Sequence, residues 1–126
     1  MNNLHGTYSI KKDADIVRYE LIGTFNENIT QDFIDEFKSL ILGYNSRPFK
    51  LMNVQIQLEG ATPAAFELVN QLNEWLNTQN MIAKAIVNNS EVLAKMHRFF
   101  IPAREAQNIQ YFSREEDALA WLTSQN

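Results

Sequence analysis

The sequence predicts a single-domain α/β fold: a mostly parallel sheet opened by an antiparallel N-terminal hairpin strand, with helices mainly on one face. Three observations carry this expectation. The chain has 126 residues, 45% hydrophobic and 21% charged, which suits one core and no second domain. Segments of two-residue alternation take turns with segments of helical period along nearly the whole length, as in strands joined by crossover helices. The connections are short, and right-handed crossovers then set most strands parallel. The expected order is ββαβαβαβα across residues 1–126.

Each element has its own local reason. Thr7-Tyr8-Ser9-Ile10, the polar turn Lys11-Lys12-Asp13-Ala14-Asp15 and the alternating Ile16–Ile22 read as a hairpin. Asn28 or Thr30 is placed to cap a helix whose apolar positions are Phe33, Ile34, Phe37, Leu40 and Ile41, with Gly43 as a left-handed C-terminal cap. Met52, Val54, Ile56 and Leu58 alternate with Asn53, Gln55 and Gln57, predicting a strand with one covered and one wet face. Thr62-Pro63 starts a helix with the stripe Ala65, Leu68, Val69, Leu72, Trp75 and Leu76, since proline at the first position has no amide to leave unbonded. Ile82–Val87 is a strand whose Ala83 and Ala85 admit a close helix. Ser90 caps a helix bearing Val92, Leu93, Met96, Phe99 and Phe100, which Pro102 ends. Ile109–Phe112 is a short strand, and Ser113-Arg114-Glu115-Glu116 reads as a capping box for a last helix with Leu119, Trp121 and Leu122.

Composition excludes whole classes of function. Eleven basic against fifteen acidic residues give a charge of −4, so nothing draws the chain as a whole to nucleic acid. Without cysteine there is no disulfide, thiolate metal site or cysteine nucleophile. No run reaches the length of a membrane span and the start lacks the pattern of a signal peptide, so the expected location is cytoplasmic. His5 and His97 stand far apart and outside any metal-binding spacing, and the four glycines form no phosphate loop or nucleophile elbow. No metal or cofactor is expected, and no acid/base pair stands out.

The hairpin ending Tyr19-Glu20-Leu21-Ile22-Gly23, the alternating strand before Glu59-Gly60, the strand Ile82–Val87 and the close Ala118-Leu119-Ala120-Trp121-Leu122 together resemble the SpoIIAA-like (STAS) superfamily. Within it, the chain is similar to small bacterial SpoIIAA-like proteins of unknown function, related in turn to the SEC14 lipid-binding fold. The resemblance spans essentially the whole chain and implies a regulatory or interaction module. Anti-sigma factor antagonists of this superfamily carry an Asp-Ser-Ser/Thr-Gly phosphorylation signature after the matching strand. This chain instead reads Leu58-Glu59-Gly60-Ala61-Thr62-Pro63, where Thr62 is the one hydroxyl and is expected to serve as a helix cap.

Ligands of such sheets meet the loops at the carboxyl ends of the strands, which here are Glu59-Gly60-Ala61-Thr62 and Asn88-Asn89-Ser90. Glu59, Gly60, Thr62, Asn89 and Ser90 are therefore candidate contacts for a partner or an anion, against the plain reading that Thr62 and Ser90 only cap helices. His97, Arg98, Phe99, Phe100 and Arg104 form a second candidate, a basic stretch interleaved with rings, suited to a protein partner or to the head and chain of an apolar ligand. The plain reading of that helix puts Met96 and Phe100 in the core and its cations in water. The leading expectation is a non-enzymatic, STAS-like module binding a protein partner. The alternative is a carrier or sensor of a small apolar or lipid-like ligand, and an enzyme using Glu59 and His97 comes third. A homodimer through a polar sheet face of Arg18, Glu20, Asn53, Gln55 and Gln57 is also expected to be possible.

Overall fold

The opening hairpin sets the edge of the sheet. In the computed structural model, which describes residues 6–126 and so leaves His5 outside, β1 (Thr7–Asp13) runs antiparallel to β2 (Ile16–Phe25) from Thr7–Ile22 to Asp13–Ile16. The expected five-residue turn shrinks to Ala14-Asp15, with Ala14 in the left-handed region (φ 55°). After β2 come α1 (Glu27–Leu42), β3 (Phe49–Val54), β4 (Leu58–Ala61) and α2 (Pro63–Leu76). Then follow β5 (Met81–Val87), α3 (Glu91–Phe100), a short 3-10 helix (Pro102–Ala106), β6 (Ile109–Phe112) and α4 (Glu115–Ser124). The sheet order is β1-β2-β3-β5-β6, and every pair after the hairpin is parallel.

The expected single strand from Met52 to Leu58 is two strands. A turn at Ile56-Gln57, closed by Leu58 N–H to the Gln55 carbonyl (3.2 Å), ends β3 and leaves Ile56 exposed. β2 is four residues longer than β3, so its far end, Gly23–Phe25, is left for β4 to pair. Gly23 sits at the register shift of that pairing with φ 85°, a backbone that only glycine takes up without strain.

Helices pack on both faces, α1 and α2 on one and α4 on the other. Phe33, Ile34, Phe37 and Ile41 of α1 and Leu72 and Leu76 of α2 meet Val17, Tyr19 and Leu51. On the reverse, Ala118 and Leu122 of α4 meet Met52, Val54, Ala83, Ala85 and Val87, with the two alanines giving the close approach expected of them. Several caps differ from the expected ones. Asn26, not Asn28 or Thr30, accepts from Ile29 N–H (3.0 Å). Gly43 is right-handed (φ −63°), and the chain turns instead through left-handed Asn45 and Ser46. The start of α4 has no side-chain cap at all, because Arg114 occupies the capping position instead of Ser113.

The proposed wet sheet face does not exist. Alternation places Arg18 and Glu20 toward α4, where Arg18 Nε meets Glu115 at 2.6 Å, while Asn53 and Gln55 point the other way and are buried. A homodimer surface through all five polar residues is ruled out by this arrangement, since they lie on opposite faces.

Candidate functional site

The carboxyl ends of β2 and β3 point into a space roofed by α2, α3 and the 3-10 helix. It is a partly open cavity of about 50 Å³. Leu21, Phe25, Phe33, Leu72 and Ile101 give it apolar walls, and Tyr19, Asn53, Gln55, Asn73, His97 and Arg104 give it polar ones. Among the described residues no acidic side chain lines it.

Strand and helix periods bring these polar groups together. Tyr19 and Asn53 are register partners on neighbouring strands, so both face the same side. From β5, Lys84 faces that side too, and its Nζ donates to Asn73 Oδ1 of α2 at 2.5 Å. Asn73 Nδ2 turns back to the Val69 carbonyl (2.8 Å), and Gln107 Nε2 donates to the same Asn73 Oδ1 (3.1 Å). At the far end, Asn88 Nδ2 donates to Gln55 Oε1 (3.1 Å) while Asn88 Oδ1 accepts from Ser90 N–H (2.5 Å), fixing the entry to α3. Arg104 Nη1 lies 3.3 Å from His97 Nδ1, so the ring is neutral with its hydrogen on Nε2.

Burial dominates the electrostatics. Arg104 is 7% exposed, His97 3% and Lys84 1%, and among the described residues none of the three pairs with a carboxylate. Burial, and then the charge of Arg104, lowers His97 to about 3 and holds Lys84 well below the usual lysine range. Burial pushes the Tyr19 hydroxyl up to about 12, with Arg104 and Asn53 pulling the other way. Arg104 is itself lowered by burial against the pull of Tyr19 and Tyr111, yet a guanidinium keeps its proton in any aqueous folded state. Its Nε and the Asn53 Oδ1 have no hydrogen-bond partner.

Of the residues expected to bind a partner or ligand, His97 and Arg104 meet in this cavity, joined by Asn53 and Gln55, which were expected on a wet sheet face. Thr62 Oγ1 accepts from Ala65 N–H (3.2 Å) and Ser90 Oγ from Leu93 N–H (3.1 Å), so both hydroxyls are occupied as caps. Glu59 is exposed on β4, Gly60 has open space where a side chain would stand, and Asn89 is exposed. Arg98 and Phe99 point to solvent. Met96 and Phe100, expected in the core, are also exposed, because Leu93 and His97 are the pair that α3 turns inward. Phe100 stacks on Phe66 (centroids 4.9 Å apart) and edges against Phe99 (4.9 Å). Tyr19, Asn73, Lys84 and Asn88 belong to the polar cluster without having been anticipated as site residues. The available signal was Lys84, a charged residue with Ile82 and Ile86 two positions to either side of it in an otherwise apolar strand.

Among the described residues no group of three histidine, aspartate or glutamate side chains converges, and no helix is long and apolar enough to cross a membrane. No family model and no curated protein matches the chain. Solved structures do. An uncharacterized DUF3478 protein with a SpoIIAA-like fold from Shewanella loihica PV-4 superposes with a TM-score of 0.71 at 16% identity, over 94% of this chain and 93% of that one. An anti-sigma factor antagonist from Mycobacterium paratuberculosis gives 0.68 at 8% identity, over 94% and 95%. The anti-sigma factor antagonist SpoIIAA in its unphosphorylated form gives 0.67 at 11% identity, over 94% and 99%. The hairpin, the parallel sheet and the four helices of this chain therefore form a SpoIIAA-like fold.

Proposed function

We propose that the chain is a non-enzymatic interaction module that docks an acidic protein partner on the outer face of α3. One observation carries the reading: Val92, Met96 and Phe99 recur at helical spacing on the exposed side of α3, with Val92 69% and Phe99 73% exposed. Such an unpartnered aromatic and aliphatic stripe is the composition of an interface centre, and isolated domains seldom leave one in water. Lys95 and Arg98 are exposed on the same helix and supply a cationic rim in a chain of net charge −4. The complement is an apolar anchor set among carboxylates. Likeness of fold to anti-sigma factor antagonists supports a module that works by association.

The reading as a carrier of lipid-like ligands has less support, since about 50 Å³ is a third of the cavity that admits benzene and too small for a long acyl chain. The phosphoswitch has little, because the Thr62 hydroxyl is engaged in its cap.

A photoreactive phenylalanine analogue at position 99, irradiated in extract of the native host, tests the docking face. The expected product is a protein adduct of acidic composition, lost in a Lys95→Glu, Arg98→Glu double variant of unchanged circular dichroism. An adduct indifferent to charge reversal, a self-adduct, or sedimentation with phosphatidylglycerol vesicles without any protein adduct would each overturn it.

A further inference from the structure

We propose that the cavity beneath α2 and α3 is a binding site for a short-chain monocarboxylate, its head group on Arg104 and its alkyl end against Phe25, Phe33 and Leu72. The site lies on the inner side of α3 and owes nothing to the docking face outside.

Charge supplies the first step. A guanidinium out of water is costly unless it is paired, and folded chains almost always give it a carboxylate. Here Arg104 has one ring nitrogen, His97 Nδ1, at 3.3 Å, the Tyr111 hydroxyl as a further contact and, among the described residues, an Nε with no partner. Lys84, on the same side of the sheet, is bonded to an amide oxygen only. Two buried basic side chains thus share a region without an acid of their own, and an anion from outside is the missing member. A single permanent cation, with His97 neutral and Lys84 disposed to lose its proton, matches a charge of minus one better than minus two.

Polar detail supplies the second. Asn53 Oδ1 has no donor although the Tyr19 hydroxyl is its neighbour. The two orientations of an amide are interchangeable in outline. Turned over, Asn53 accepts from the Tyr19 hydroxyl and frees Nδ2 as a second donor for a carboxylate oxygen.

Size and lining set the class. A water needs roughly 10–15 Å³ of such space, so about 50 Å³ accommodates around four heavy atoms, the size of acetate, or slightly more if α3 yields. Phosphate and sulfate would set polar oxygens against the rings of Phe25 and Phe33, whereas a methyl group suits them.

The test is thermal unfolding of the full chain at constant ionic strength with sodium acetate, propionate, phosphate or chloride, alongside a titration with carbon-13-labelled acetate followed by NMR. Acetate and propionate should stabilise saturably, with half-saturation between about 0.05 and 5 mM, the range open to a ligand of four or five heavy atoms. Arg104→Met should weaken this at least about tenfold, while Phe99→Ser leaves it unchanged, so failure here and failure of the docking face are separable. Absence of a saturable response in the wild type, an equal response to chloride or phosphate, or an undiminished response in Arg104→Met would overturn the assignment. If Arg104→Met does not fold, the nitrogen-15 signal of Arg104 Nε in the wild-type chain decides: it must shift with acetate on the same titration curve, and a stationary signal rejects the site.

Discussion

Protonation of His97 should be the steepest acid-sensitive step in the stability of this fold. The imidazole is 3% exposed and touches the Arg104 guanidinium through Nδ1. The Phe66 ring stands edge-on to it (centroids 5.8 Å apart), and Tyr19 and Asn53 complete the cavity around it. Among the described residues no carboxylate lines the cavity to offset a second positive charge. Burial first and Arg104 second depress its pKa to about 3 in the folded chain, against about 6.5 when unfolded. Between those values the unfolded chain holds a proton that the folded chain refuses, so stability falls as pH falls. The contribution is intact above about pH 6.5. Linkage makes the loss about 3 kcal/mol by pH 4 and nearly 5 kcal/mol once pH passes below the folded value. These are ceilings, since an opening of α3 that wets the ring lets it protonate early. Urea unfolding followed by tryptophan fluorescence near pH 7 and pH 4, in buffers free of small carboxylates, measures the effect. His97→Gln keeps an acceptor for Arg104 and removes the titration, so subtracting its pH dependence removes the surface carboxylates. Equal losses in wild type and variant would refute the argument.

Three further outcomes follow from the same geometry. Asn73→Ala strips the acceptor shared by Lys84 and Gln107 and should cost about 2–4 kcal/mol, a cost cut by at least about 1 kcal/mol in a Lys84→Met background; additive effects in a urea double-mutant cycle would contradict this. Thr62→Ala should lose about 1 kcal/mol with its cap to Ala65, while Thr62→Asp, which caps equally well, stays within about 0.5 kcal/mol by the same assay. Because α3 buries only Leu93 and His97, its amides should exchange with deuterium well ahead of those in β3 and β5, and equal protection would show that the helix opens only with the whole fold.

Where periodicity and hydrophobicity agree, the fold could be read from the chain. α1, α2 and β5 lie where the apolar spacing put them, because Phe33, Phe37 and Ile41, or Leu72 and Leu76, leave one burial solution each. β4 escaped because four residues, Leu58–Ala61, extend an alternation already running. Only the unpaired end of a longer β2, a tertiary fact, separates them from β3. The cap of α1 escaped for a different reason: Asn26, Asn28 and Thr30 are all competent residues, and where the chain leaves β2 decides among them.

The polar cluster was hidden by a degeneracy in the alternation rule itself. Asn53 and Gln55, alternating with Met52, Val54 and Ile56, produce the same pattern whether their face meets water or a roof of helices. Two residues break the tie in retrospect. Lys84 falls in step with Ile82 and Ile86 in the alternation, at the centre of a parallel strand, where both faces are ordinarily covered, and Asn73 interrupts the apolar stripe of α2 directly opposite. Read singly, each is an imperfect core position. Paired across the strand-to-helix gap, they require a buried polar site, and Arg104, thirty-one residues beyond Asn73 and carried in by the 3-10 helix after Pro102, completes it. The apolar exterior of α3 follows from the same inversion: with His97 drawn in toward Arg104, the helical period turns Val92, Met96 and Phe99 outward. The helix thus faces its polar group inward and its apolar stripe outward, and one register sets both the cavity and the docking face.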